Sequence, residues 1–314
     1  MSVFKKPSEL VFNSTIKALV YGQPGLGKST LALSTPNPVL FDFDGGVQRV
    51  NGAFQCATLP VSCWDEVLLG LDELENEPND FKTIVIDTAG KMLDFMSDYI
   101  IKQDPKMSMR DGSLSLKGYG ARKVMFVNFL RRVSKMGKNV IFVAHEREEK
   151  DGELRIVRPE IGGSSQGDLI KELDLVGYMQ AIGSDRTISW TPQEKFYAKN
   201  TCNLPPMQKI PVIIDPQGKI IGNNNFLSNI FSNYSAYLEQ EALVRKEYDA
   251  LLKEIEGEVA SIKDAEMANA FVESMKSKKQ IWDSNAHAKN FITSRCRELG
   301  LVYNKTTKKY EPAA

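Results

Sequence analysis

The chain has 314 residues, 42% apolar and 25% charged, which is room for one large α/β domain and something smaller. Its 40 Lys and Arg balance 40 Asp and Glu, so the surface as a whole does not attract duplex DNA, and any nucleic-acid site must be a local patch. No apolar run reaches membrane-spanning length, Met1–Lys6 leads into no signal-peptide core, and Cys56, Cys63, Cys202 and Cys296 lack C-x-x-C spacing, which argues against zinc and for reduced thiols in a cytoplasmic protein.

The apolar run Ile16–Tyr21 predicts a strand, and it feeds Gly22, Gln23, Pro24, Gly25, Leu26, Gly27, Lys28, Ser29 and Thr30, a complete G-x-x-x-x-G-K-[ST] phosphate-binding loop. The glycines let successive N–H groups turn inward onto phosphate oxygens, and the start of the following helix adds partial positive charge. Lys28 would span the β- and γ-phosphates of a nucleoside triphosphate, and the Ser29 hydroxyl would ligate Mg²⁺. Further strands are expected at 38–43, 82–87 and 138–144. Helical periodicity covers 63–75 and 118–136, with Val124, Phe126, Val127, Leu130 and Val133 on one apolar face. This alternation predicts a mostly parallel sheet covered on both faces.

Strand 82–87 ends in Asp87, which would hold Mg²⁺ directly or through water beside the loop; capping the next helix is the plainer role. Strand 38–43 leads to Asp42 and Asp44. Two residues apart, both would point to one face, and one of them could polarise an attacking water. A capping role for Asp44 beside Gly45 and Gly46 fits the spacing nearly as well. Strand 138–144 leads to His145, placed either to touch a γ-phosphate or simply as a satisfied polar residue. Residues 103–118 and 146–168 are expected as long polar loops. They carry Lys106, Arg110 and Lys117, then Arg147, Arg155 and Arg158, and the glycine-rich run 162–167. Acids interleave with these bases, so nucleic-acid contact and ordinary solvation both fit. Residues 149–153 predict a turn between short strands, and strands are also expected at 173–181, 186–191, 195–199 and 210–214.

The run 222–225 reads as a linker, dividing a domain 1–222 from a region 223–314. A long helix is expected over 227–257, then two short ones. Residues 239–275 carry 10 acids and 4 bases, whereas 276–309 carry 9 bases and 2 acids, so a neutral chain contains a basic terminal module. That module also carries Trp282, Phe291, Tyr303 and Tyr310, suited either to stacking unpaired bases or to forming the core of a small helical domain.

Taken together, the motifs over about residues 10–220 resemble a RecA-like recombinase core, and specifically the phage-encoded RecA-like ATP-binding proteins of single-strand annealing. Phe41-Asp42-Phe43-Asp44 is similar to the RecA strand that ends in the catalytic base, which implies that role for Asp44, with Asp in place of Glu. His145 stands where the resemblance implies a γ-phosphate sensor that opens a DNA-binding loop. The stretch 198–205 is similar to one whose lysines reach the neighbouring subunit's ATP, which implies Lys199 as a cation acting in trans, with Thr201 replacing a second lysine. The runs 158–163 and 174–178 also resemble the phage proteins. Only 15 residues precede Ile16, too few for the oligomerisation helix of RecA, so a filament of that type is not expected.

The resemblance implies an α/β, RecA-like P-loop NTPase core with a small C-terminal helical region, using ATP and Mg²⁺. It also implies slow, DNA-coupled hydrolysis, single-stranded DNA as partner, a homo-oligomer, and contact of the tail with single-stranded DNA or a single-strand binding protein. A RecA-fold helicase, a helicase-loading ATPase and a nucleotide-gated scaffold for replication partners are the alternatives.

Overall fold

Alternate residues along the central strands pack into different cores, as a sheet covered on both faces requires. The computed structural model describes residues 3–5, 9, 14–151, 154–162, 165–183 and 185–313. The chain divides into two compact units, one spanning Asn13–Ser235 and the other containing Ala236–Ala314.

The first unit is built on β1 (Lys17–Gly22), β2 (Pro38–Asp42), β3 (Ala57–Pro60), β4 (Thr83–Asp87) and β5 (Asn139–Asp151), continued by β6 (Leu154–Pro159), β7 (Leu175–Ile182), β8 (Asp185–Ser189), β9 (Lys199–Asn200) and β10 (Met207–Ile210). They form a ten-stranded sheet whose main path runs β10-β8-β7-β1-β5-β4-β2-β3, with β3 and β10 at its ends. Strands β3, β2, β4, β5, β1 and β7 are mutually parallel, and β8 and β10 close one side antiparallel. Helices α1 (Lys28–Ala32), α2 (Trp64–Asn76), α3 (Ala89–Gln103), α4 (Leu116–Lys135) and α5 (Ser165–Glu172) lie between strands in the chain.

On one face Leu19, Tyr21, Ile84, Ile86 and Phe142 pack with Trp64 of α2, Met92 of α3 and Phe126 of α4. On the other, Ala18, Val20, Val85, Ile141 and Val143 pack with Leu31 of α1 and Trp190. The buried, largely apolar centres of β1, β4 and β5, rich in β-branched residues in β4 and β5, make this two-sided burial possible.

Several expected elements are repositioned. In α4 the buried face is Phe126, Phe129, Leu130 and Val133, while Val124 is exposed because it falls on the outward side of the helix. Segment 146–168 is not a long loop. β5 runs on to Asp151 and pairs with β6 as an antiparallel hairpin, and α5 begins at Ser165. Of the turn expected at 149–153, Gly152 and Glu153 lie outside the described residues, as do Gly163 and Ser164 of the glycine-rich run; Glu149–Asp151 are strand. Segment 103–118 holds a 3₁₀ turn at Pro105–Met107, a bridge between Ser108 and Leu114, and the first turn of α4. The strand expected at 195–199 is reduced to bridges at Phe196 and the two-residue β9. That expected at 210–214 lies earlier, as β10. Helix α3 and strand β3 had no counterpart in the sequence reading; α3 is capped by Thr88, whose hydroxyl accepts from the Lys91 N–H at 3.3 Å.

The long helix α6 (Phe226–Ser261) contains the division between the units. The first turns belong with the sheet, beyond the boundary expected at 222, because Leu227, Ile230 and Phe231 are buried in its core and the Leu227 N–H donates to the Ser34 hydroxyl at 3.0 Å. In the second unit the end of α6 packs with α7 (Ala265–Ser274) and α8 (Ser284–Glu298) around Ile255, Val259, Phe271 and Ile292. The region expected to be helical ends instead in a hairpin, β11 (Leu301–Asn304) with β12 (Lys309–Pro312), which places Tyr303 opposite Tyr310.

Candidate functional site

Strand register brings the motif residues together. Gly22 lies opposite His145, Val143 opposite Asp87, and Asp87 opposite Asp42, so the ends of β1, β5, β4 and β2 open onto one crevice. A cavity of about 620 Å³ sits there, within the range of nucleotide-sized pockets, and Lys28, Ser29, Asp44, Asp87 and His145 all line it.

The loop depends on glycine where backbone meets backbone. A Cβ on Gly22 would stand 2.5 Å from the Met179 carbonyl oxygen of β7. Gly27 holds φ at 84° just before α1, and a Cβ there would lie 2.7 Å from the Arg186 guanidinium. Arg186 itself donates to the Leu26 carbonyl at 3.3 Å, which sets a second cation against the loop.

Lys28 is only 6% exposed, and its Nζ donates to the Gln23 carbonyl at 2.7 Å. Burial pushes its pKa below the usual lysine value, against the opposing pull of Asp87, Glu146 and Asp44. A phosphate would add the negative charge that favours this buried ammonium. The Ser29 hydroxyl lies close enough to the Asp87 carboxylate to favour its charged form. Asp87 is 4% exposed, and burial raises its pKa to about 6, with Asp44 and Asp42 adding to the rise and Ser29 and Lys28 opposing it. A hydroxyl and a carboxylate are hard oxygen donors of the kind Mg²⁺ takes. Among the described residues no three His, Cys, Asp or Glu cluster to hold a metal, so phosphate oxygens and water would complete the shell.

The two aspartates after β2 do not share a face. The strand ends at Asp42, and Gly45 turns the chain at φ 68° into a 3₁₀ turn at Gly46–Arg49. The Asp42 carboxylate accepts from the Gly46 N–H at 2.9 Å and the Val47 N–H at 3.0 Å, so it fastens that turn. Asp44 lines the cavity, with Arg49 Nη2 at 3.3 Å from its Oδ2. Asp42→Ala should therefore cost about 1–3 kcal/mol in denaturant unfolding, because two backbone donors lose their acceptor. Asp44→Ala should leave stability nearly unchanged and lower steady-state ATP turnover.

His145 lines the cavity half-buried, and its Nδ1 is buried with no hydrogen-bond partner among the described residues. Burial, then the nearby Lys28, hold its pKa below the ordinary value, although Asp44 and Glu160 pull the other way. That direction favours the neutral ring near pH 7.

Other sequence candidates lie elsewhere. Lys199 pairs with Val176 near the start of β7, whereas Gly22 pairs with Met179 further along, and the Lys199 ammonium donates to the Ile170 and Lys171 carbonyls at 3.1 and 3.2 Å, closing the end of α5. Lys106, Arg110 and Lys117 are exposed. Arg147 and Arg158 each reach Glu149 at 2.6 Å, and Arg155 reaches Glu148 at 3.5 Å. Arg158 also stacks on Tyr197 at 4.8 Å. None of these six lines the phosphate cavity.

Arg49, Thr88 and Arg186 went unnoticed in the sequence. Thr88 had a signal, standing next to Asp87 at a helix start; Arg186 had none, since it meets the loop from 160 residues away.

A family profile described as an AAA domain matches residues 14–202. The SPbeta prophage-derived uncharacterized protein YorG of Bacillus subtilis (strain 168) is 24% identical over 179 residues, which is 53% of this chain and 51% of that protein. The chain thus spans about half the length of the curated relative it matches.

Proposed function

Because the chain belongs to the AAA-domain family, whose P-loop module binds and hydrolyses ATP, we propose that it is a RecA-like, ATP-dependent single-stranded DNA-binding and annealing protein of phage recombination or replication. The prophage origin of the relative supports the phage setting. The observation that carries the DNA reading is the continuity of β5. One unbroken strand, Asn139–Asp151, holds His145 in the phosphate cavity and Arg147 two residues further on, with Arg158 opposite Arg147 and Arg155 opposite Lys150 on β6. A γ-phosphate bound to His145 would bias the setting of this hairpin, and DNA phosphates would replace Glu148 and Glu149 as partners of its arginines. ATP then favours the DNA-gripping state by binding it better.

In hydrolysis Lys28 would neutralise β- and γ-oxygens, Ser29 and Asp87 would hold Mg²⁺, and Asp44 would orient and deprotonate the attacking water. Bound Mg²⁺ supplies charge neutralisation at the phosphates. Turnover is slow in this reading, since Asp44 is shorter than Glu and engaged by Arg49. In an oligomer Lys199 would reach a neighbour's ATP only by leaving the α5 carbonyls.

The test is fluorescence anisotropy of labelled single- and double-stranded DNA with and without Mg-ATP. ATP should tighten single-strand binding selectively. His145→Ala should keep nucleotide affinity within about threefold while losing most of a gain on the order of tenfold. Equal binding with and without ATP would sink the proposal, and ATP-driven strand displacement would favour a motor.

A further inference from the structure

The second unit contains two neighbouring cavities, of about 480 and 490 Å³, that share Val272, Lys289 and Ile292. They form one furrow along α7, α8 and the β11–β12 hairpin. Phe271, Met275 and Ala288 supply apolar wall at one end, and Leu301, Val302 and Tyr310 at the other. Every charged side chain that lines either cavity is basic: Lys276, Lys289 and Arg297. Lys276 is paired with Glu273, but Lys289 and Arg297 have no carboxylate partner among the described residues. The exposed Lys305, Lys308 and Lys309 of the hairpin add positive charge close by in the chain.

We propose that this furrow docks an acidic protein segment that carries two bulky apolar side chains, one for each cavity, with its carboxylates on Lys289 and Arg297. Charge complementarity selects the sign of the partner, and concave apolar walls select side chains over the sugar–phosphate ridges of a nucleic acid. Tyr303 packs edge-on against Tyr310, with centroids 5.2 Å apart and planes at 65°, and its exposed ring is part of the wall that a docked side chain would meet. Two cavities sharing a cation also set the partner's pattern: apolar, acidic, apolar. This docking site does not depend on ATP, so it stands or falls separately from the nucleotide and DNA reading.

The test uses the full chain and a fluorescein-labelled peptide of Asp and Glu with two Phe residues, followed by anisotropy. Poly-Glu of equal length, the same peptide with Phe→Ser, and a labelled dT oligonucleotide serve as comparison probes. The Phe-bearing acidic peptide should bind most tightly, and Lys289→Glu/Arg297→Glu should weaken it by about tenfold or more. A peptide with Lys in place of its acids should regain affinity for that variant, which separates charge pairing from loss of structure. Nucleotide binding at Lys28 should be the same in both proteins. Equal binding of poly-Glu or of the Phe→Ser peptide would overturn the proposal by reducing the furrow to a diffuse basic surface. Tighter binding of the oligonucleotide, lost in the charge-reversed variant, would overturn it in favour of a nucleic-acid site.

Discussion

Lys28→Ala is expected to lower ATP turnover by at least about a hundredfold and to remove measurable ATP binding, because no other side chain can span the two terminal phosphates from within the loop. The effect on the fold should be small and of either sign. The ammonium is buried at a desolvation cost, and its hydrogen bond goes only to Gln23, so stability should stay within about 1 kcal/mol of the parent in urea unfolding. Anisotropy then separates the functional readings. The variant should keep whatever DNA affinity is independent of nucleotide and lose the ATP-dependent part. A variant that still gripped single strands more tightly on addition of ATP would place the nucleotide elsewhere.

Asp87→Asn should abolish Mg-ATP use and yet stabilise the nucleotide-free protein near neutral pH. The carboxyl titrates at about 6 when folded and at 3.8 as a free side chain. Between those values the native state binds more protons than the unfolded one, so stability falls as pH rises through this window. Above pH 6 the full cost, on the order of 3 kcal/mol, is present. An amide removes that cost. Unfolding curves without nucleotide or Mg²⁺ should show Asp87→Asn gaining over the parent from pH 4 to 7, with no gain at pH 3.5. Mg-ATP affinity of the parent should run the opposite way and strengthen as pH rises past 6, because the metal needs the carboxylate. A variant less stable than the parent at pH 7.5 would show that Asp87 is held by favourable partners rather than penalised by burial.

The parts of the site that were legible in sequence are those fixed by a few consecutive residues. Glycine spacing and Lys28-Ser29 define the loop, and Ile84-Val85-Ile86 before Asp87 gives a strand buried on both faces that ends at the crevice. Spacing alone did not separate Asp42 from Asp44, a choice that only the RecA resemblance made, because which one faces the cavity depends on where β2 stops and how Gly45 turns. The turn between short strands expected around 149–153 is met by the β5–β6 hairpin, but how far β5 runs was not legible, for a physical reason. Beyond Ala144 its residues leave the apolar interior, and Arg147, Glu148, Glu149 and Lys150 carry no period-two apolar signal even though the backbone stays extended. Arg49 and Arg186 are placed by turn geometry and by the folding of distant strands, so no local pattern marks them. The terminal hairpin was hidden by its charge: Tyr303 and Tyr310 pair across a turn of lysines and threonines that periodicity cannot distinguish from a solvated tail.

The strands at the two ends of the sheet's main path constrain how copies of this chain can associate. β3 has four residues and stops at Pro60, and β10 has four residues bracketed by Pro206 and Pro211. Proline has no N–H to give to a new neighbour, and so short a ladder offers few hydrogen bonds. Extension of the main path from subunit to subunit is therefore disfavoured at both of its ends, and pairing through those two strands should contribute little beside contacts between side-chain surfaces.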